Sequence, residues 1–335
     1  MPDRRKRATI REVAQATGLS PAAVSYALRG IQTSEETQER VRAAAEELGY
    51  EAHPIARALA SGRTGQVGLL CGSLGDYWQQ SLAIGIGREL LARDRYALIV
   101  DAGGDPEREL ALARRLRDQR VDGLIVQPLD PAAGLWAELA ESTPVVSIGD
   151  ALHGGRAQGE VVFDNRRGVT LALEHLRALG HRRLTVFTPT RASTPDRPAD
   201  MHVNAEAERL GLRVDLIVAP QSLAGATQVA ERVLAGPGRP TAVFCFSDSM
   251  AYGVYAVTRE LGLDVPGDIA VCGYDNHPMS ALLTPPLTTV DWDIDGIVSD
   301  AVRLVVDVID GKPHERRVVR EPELRVRAST GDQEL

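Results

Sequence analysis

The chain has 335 residues, 44% hydrophobic and 25% charged. This excludes a disordered, collagen-like or low-complexity protein and points to two or three globular domains. No apolar run nears the ~20 residues that span a bilayer. The basic start Met1-Pro2-Asp3-Arg4-Arg5-Lys6-Arg7 opens into no apolar stretch of a secretory signal. Cys71, Cys245 and Cys272 are an odd, scattered set and read as small buried hydrophobes of a reducing compartment. The expectation is a soluble, cytoplasmic, multidomain protein. Its net charge of −8 hides an asymmetry, because residues 1–64 hold ten Arg/Lys against eight Asp/Glu and the remainder 28 against 38. A basic head on an acidic body is the distribution expected where only the head meets a polyanion.

Thr9-Ile10-Arg11-Glu12 fits a capping box, with Thr9 as N-cap and Glu12 reaching back to its amide. Ile10, Val13, Ala14 and Thr17 mark one helical face, and Gly18 is the C-cap, where positive φ costs least. Ser20-Pro21 then pairs an N-cap with proline at the first helical position. Residues 22–28 make a second short helix, with Val24 and Leu28 inward, ended by Gly30. Ser34 caps a third helix over 35–48, with Val41, Ala44, Ala45 and Leu48 inward and Gly49 as its stop. Two short helices joined by a tight glycine turn and braced by a third constitute a helix-turn-helix unit.

The run Ala8-Thr9-Ile10-Arg11-Glu12-Val13-Ala14-Gln15-Ala16-Thr17-Gly18-Leu19-Ser20-Pro21-Ala22-Ala23-Val24-Ser25-Tyr26-Ala27-Leu28 resembles the head of the LacI/GalR family of bacterial transcriptional regulators. Gly49-Tyr50-Glu51-Ala52-His53-Pro54-Ile55-Ala56-Arg57-Ala58-Leu59 resembles the family's hinge segment, and the likeness continues through 121–126, 164–183 and 269–290. The resemblance implies that the second helix lies in the major groove, with Pro21, Ala22 and Tyr26 at base-reading positions. It implies that Ser20, Ser25 and Arg29 contact phosphate or the groove edge, which positions the protein without specifying sequence, and Thr9 is counted with them among the DNA-binding residues. Ala23 stands where the family usually has threonine, and Arg29 where it usually has asparagine. A hinge helix over 55–60 is too short to be stable alone. By resemblance it forms on DNA, Leu59 wedges into the minor groove, Arg57 lies beside it and Ala56 faces its twofold partner. Ala52 and His53 replace the family's usual proline and asparagine.

Beyond the hinge, apolar runs recur at 67–71, 97–100, 123–126, 145–148, 161–163, 184–187, 216–218, 242–246 and 269–273. Helical stretches separate them at 79–93, 106–119, 166–179, 221–234, 249–261 and 294–309. Strand–helix alternation with near-continuous apolar strands signals parallel sheets covered on both faces, and about ten strands suit two subdomains better than one sheet. The resemblance implies two Rossmann-like lobes of periplasmic-binding-protein type, crossed near 163–164, 290–291 and 320–321. The expected fold is therefore an N-terminal all-α helix-turn-helix head (1–52), a hinge helix and linker (53–64), and an α/β effector-binding and dimerisation body (65–330). Lobe 1 is placed at about 65–163 and 291–320, and lobe 2 at about 164–290 and 321–330.

Ligands of such a body bind at the carboxyl ends of its strands. Tyr77 and Trp78 follow the first body strand and can stack on a sugar ring or base. Asp275, after 269–273, and Arg197, after 184–187, match by resemblance the aspartate and arginine that grip effector. A carboxylate accepts two hydroxyl hydrogens and an arginine donates several, as a polyol requires. Asp150 and Asp248 follow two further strands.

Enzyme, metal and cofactor readings fare poorly. There is no phosphate-binding loop, Gly85-Ile86-Gly87 falls inside a helix and lacks a third glycine, and Cys71-Gly72-Ser73-Leu74-Gly75 lacks the first glycine of a nucleophile elbow. The seven histidines and three cysteines have no metal-ligand spacing. The reading is a homodimeric repressor that binds a pseudo-palindromic double-stranded operator under control of a small molecule, a sugar or sugar derivative. The alternatives are a nucleoside- or purine-responsive regulator and a solute-binding protein of the same body fold.

Overall fold

The computed structural model describes residues 8–28, 30–50, 62–154, 157–189, 199–220, 222–236 and 238–331. They fall into two compact units, residues 1–65 and 66–335. The first contains α1 (Ile10–Thr17), α2 (Pro21–Leu28) and α3 (Glu35–Glu47). The Glu12 carboxylate accepts from the Thr9 amide at 2.6 Å and the Thr9 hydroxyl at 2.9 Å, closing the start of α1. Gly18 ends that helix at φ 69°, the left-handed conformation open to glycine at little cost. Ser20 Oγ accepts from the Ala23 amide at 3.2 Å, and Ser34 Oγ from the Thr37 amide at 3.3 Å, so each later helix is also capped by its own sequence. Val13, Ala14, Val24, Ala27, Val41 and Ala45 form a small core, with Ile10, Leu19, Leu28, Ala44 and Tyr50 against it.

The second unit holds two six-stranded sheets. The first contains β1 (Gln66–Cys71), β2 (Tyr96–Asp101), β3 (Gly123–Val126), β4 (Val145–Gly149), β5 (Gly159–Phe163) and β11 (Arg317–Arg320), in the order β11-β5-β4-β3-β1-β2. The second contains β6 (Arg183–Pro189), β7 (Arg213–Ala219), β8 (Ala242–Cys245), β9 (Ala270–Tyr274), β10 (Thr288–Asp291) and β12 (Glu323–Arg325), in the order β12-β10-β9-β8-β6-β7. All pairings are parallel except β10 with β12. The chain passes between sheets after β5, after β10 and after β11. Central strands β3, β8 and β9 are buried throughout, whereas edge strands β2 and β7 are mostly exposed or half-exposed. Burial on both faces is why the central strands read as unbroken apolar runs.

The helices are α4 (Tyr77–Leu91), α5 (Pro106–Asp118), α6 (Leu135–Leu139), α7 (Asn165–Ala178), α8 (Ala199–Leu210), α9 (Leu223–Leu234), α10 (Asp248–Leu261) and α11 (Ile294–Asp310). Gly85 has a packing function: a Cβ there would lie 2.7 Å from Val298 Cγ2, so its absence lets α4 press against α11. Helices α6 and α8 and strands β11 and β12 are additional to the periodicity-based reading. The first is five residues long and the two strands four and three, too short for a periodic signal. Helix α4 begins two residues earlier than the apolar pattern indicates because Asp76 Oδ1 accepts from the Gln79 amide at 3.0 Å and caps it there. The hinge helix expected at 55–60 lies outside the described residues. Among the described residues, no helix is long and apolar enough to cross a membrane.

Candidate nucleic-acid interface and effector cleft

Helical periodicity divides α2 into two faces. Val24 and Ala27 are sealed in the head's core, while Ala22 and Tyr26 stand exposed and Ser25 half-buried on the opposite side, with Pro21 exposed at the N-terminus. Tyr26 is 37% exposed, so part of its side chain is open to solvent. Thr9 and Ser20 are exposed at the starts of α1 and α2, their hydroxyls engaged in capping. A rod with one apolar face anchored and Pro21, Ala22 and Tyr26 outward has the dimensions and the exposed face to enter a major groove. Arg29, Ala56, Arg57 and Leu59 lie outside the described residues.

In the body, parallel pairing gathers the carboxyl ends of the strands at one edge of each sheet, and side chains from the two edges meet. Tyr77, at the start of α4, lies 5.6 Å between ring centroids from His277 and 6.5 Å from Tyr252 of the other lobe. Trp78 packs edge-on against Phe163 at 5.7 Å, and Phe163 stacks on Trp292 at 4.9 Å. Trp292 meets Tyr274 at 5.4 Å, and Tyr274 meets Phe246 at 5.3 Å. Phe163 and Trp292 belong to two of the three crossings, so an aromatic seam runs along the connections between the lobes. Among the described residues, the buried Trp78 Nε1 has no hydrogen-bond partner.

Carboxylates accompany the rings. Asp76 is 4% exposed; its Oδ1 is spent on the α4 cap and its Oδ2 has no partner among the described residues. Asp275 follows β9 at φ 120°, a strained conformation held by its amide donating to the Val290 carbonyl at 2.7 Å. Burial, then the nearby Asp76 and Asp248 charges, push the Asp275 carboxyl well above the usual carboxylate range. Burial raises Asp76 as well. Asp248, 1% exposed, is engaged inward: Oδ2 accepts from the His277 amide at 2.8 Å and the Ser280 hydroxyl at 2.5 Å, and Oδ1 accepts from the Thr289 hydroxyl at 2.6 Å. Burial dominates these bonds and pushes its pKa up to about 6. Asp248 thus anchors the segment that presents Asp275 and does not itself offer a free oxygen.

The structure therefore brings together Tyr77, Trp78, Asp248 and Asp275. Asp150 is half-buried at the end of β4, and Arg197 lies outside the described residues. Asp76, Phe163, His277, Tyr252 and Trp292 were not singled out from sequence. Asp76 alone carried a local signal, as an aspartate immediately before a helix.

Comparison with known proteins gives a concordant result. Residues 9–53 match the model described as bacterial regulatory proteins, lacI family, and residues 173–330 match a periplasmic binding protein-like domain. The chain is 30% identical over 327 residues to the HTH-type transcriptional repressor PurR of Vibrio campbellii (strain ATCC BAA-1116), covering 96% of this chain and 98% of that one. Its fold superposes with TM-score 0.84 on the Lac repressor dimer bound to operator and an anti-inducer, at 23% identity, covering 98% of this chain and all of that one. A transcriptional regulator CelR–cellobiose complex superposes with TM-score 0.68 at 27% identity, covering 96% and 100%.

Proposed function

The chain belongs to the LacI family of bacterial regulatory proteins, and from that premise we propose that a sugar or sugar derivative, held between the two lobes of the body, sets its affinity for DNA. It is a DNA-binding transcriptional regulator of the repressor type that dimerises and binds a small-molecule effector. Twofold protein symmetry calls for a pseudo-palindromic operator. In our reading Pro21, Ala22 and Tyr26 address base edges, while Thr9, Ser20 and Ser25 hold the backbone.

The observation that carries the effector reading is the set of carboxylates and aromatic rings, buried to half-exposed, at the facing strand ends. Rings bind the apolar face of a sugar and carboxylates its hydroxyl hydrogens. Effector binding acts on DNA only if it favours one arrangement of the lobes over another. A relative solved with cellobiose supports the carbohydrate class. A nucleoside or purine is the second reading, favoured by the flat faces of Tyr77 and Trp78. A reaction is no part of this reading, since the relatives are transcriptional repressors.

Two experiments test it. Gel shifts with DNA from upstream of the chain's own gene should reveal binding that weakens steeply with salt; salt-insensitive or absent binding favours a solute-binding protein. A thermal-shift screen over sugars and nucleosides should identify the ligand, since one present at about 100-fold its Kd adds about 2.7 kcal/mol. Tyr26→Ala should lose operator preference while keeping effector binding.

A further inference from the structure

Asp275 and Asn276 are consecutive non-glycine residues at positive φ, 120° and 49°. Such a turn persists only where its surroundings hold it. Three holds come from neighbouring elements of the second lobe: the Asp275 amide donates to the Val290 carbonyl at 2.7 Å, the Asn276 amide to Thr289 Oγ1 at 3.2 Å, and the His277 amide to Asp248 Oδ2 at 2.8 Å. A fourth arrives from the C-terminal segment. Arg327 Nη2 donates to Asn276 Oδ1 at 2.6 Å, while Nη1 of the same guanidinium donates to the Leu287 carbonyl at 2.7 Å.

Arg327 is itself fixed. Its amide donates to Thr288 Oγ1 at 2.8 Å, and its carbonyl accepts from that hydroxyl at 2.8 Å. Two residues on, Ser329 Oγ accepts from the Thr288 amide at 2.8 Å and donates to the Val271 carbonyl at 2.6 Å. Thr330 Oγ1 lies 2.8 Å from Nε2 of the buried His175. A planar guanidinium on a docked backbone is a rigid fork, here with one prong on the chain entering β10 and the other on the turn. The segment also follows β12 directly, the strand by which the third crossing enters the second sheet. The connection between lobes therefore runs straight into the residue that holds the turn. A binding group is only as well placed as the shell around it, to a tolerance of about 0.5 Å. Resting on the reading that Asp275 contacts the effector, we infer that Arg327 is a positioning residue of the effector cleft. It acts through Asn276 to fix the direction of the Asp275 carboxylate, so that the C-terminal segment sets effector affinity.

Hydrogen exchange on the full unliganded chain tests the hold itself. Arg327→Met should speed exchange of the 275–277 amides about tenfold, the loss of one charge-assisted hydrogen bond, and leave β6 and β8 unchanged. Asn276→Gly removes the other end of the same bond, and glycine suits a positive φ; it should accelerate the same amides. The double variant should exchange no faster than the faster of the two. Unchanged 275–277 amides, acceleration spread over the whole second sheet, or additive effects in the double variant overturn the inference. Titration calorimetry with glucose, galactose, cellobiose, adenosine and guanosine reads the consequence. Whichever binds the wild type should bind both variants about tenfold more weakly; an unchanged affinity overturns the inference and leaves the effector reading standing. Wild-type silence toward all five counts against the cleft reading, and the exchange pattern alone then upholds or overturns the hold of Arg327 on the turn.

Discussion

Asp275 and Gly85 illustrate how single positions carry opposite kinds of constraint. Asp275 has a folded-state pKa held above its ordinary value by burial first and by Asp76 and Asp248 second. The folded state therefore binds the proton more tightly than the unfolded one, and the associated stability is present at low pH and lost as pH rises. Asp275→Asn should melt above the wild type at about pH 8, with the gap closing toward about pH 4, the ordinary carboxylate value. Melting curves of the two unliganded proteins across that range check the sign, and a gap that widens on acidification contradicts it. Gly85 is constrained by space. A side chain there meets Val298 at 2.7 Å, so Gly85→Val should destabilise the body by about 1–3 kcal/mol, the usual cost of overpacking, measurable by urea unfolding.

At the scale of elements, the head depends on a core of valines and alanines whose burial orients α2. Val24 is fully buried between the helices, and Val24→Ala removes two methyl carbons' worth of burial, about 1.6 kcal/mol before any cavity term. The expected outcome is a head that loses operator affinity in gel shifts while effector binding in the body is unchanged. The crossings form the corresponding element of the body. Arg320, at the end of β11, donates to Asp293 at 3.1 Å and to the Gly296 carbonyl at 2.8 Å, and pairs with Asp300, tying a connection between lobes to the start of α11. Arg325 ties β12 to β10 through Asp291 at 2.8 Å. Arg320→Ala leaves the partly buried Asp300 with Arg303 at 3.1 Å as its remaining partner and should cost about 1–2 kcal/mol, between the values for exposed and buried pairs. Because the lost bonds sit on a crossing, the concentration of effector needed to change operator affinity should shift in the same variant.

For the whole molecule, two binding events are coupled through the lobes, and the coupling is reciprocal. If a ligand weakens operator affinity by a given factor, operator DNA must weaken ligand affinity by the same factor. Calorimetric titration of the effector with and without operator should return that equality; a ligand affinity indifferent to DNA would mean that the cleft does not regulate the head. Exposed apolar side chains on one lobe, Ile84, Leu91, Tyr96 and Ile99, and on the other, Leu216, Val218 and Leu223, provide surface that dimerisation can cover.

The amino-acid sequence by itself determined the local features: the caps at Thr9, Ser20 and Ser34, the glycine stop at Gly18, the apolar central strands and the family likeness. Each of these depends on neighbours within a few positions or on a repeating period, and both are written along the chain. Only the tertiary structure decided which strand-end residues meet. Asp76 and Asp275 lie 199 positions apart, and no periodicity indicates that both lose solvent beside each other. Nor does an aspartate in the loops after the strands announce whether an oxygen is left without a partner, as Asp76 Oδ2 is among the described residues, or turns inward as those of Asp248 do toward His277, Ser280 and Thr289. Burial and hydrogen-bond partnership are properties of the packed lobes, set by contacts between segments that the chain order keeps far apart.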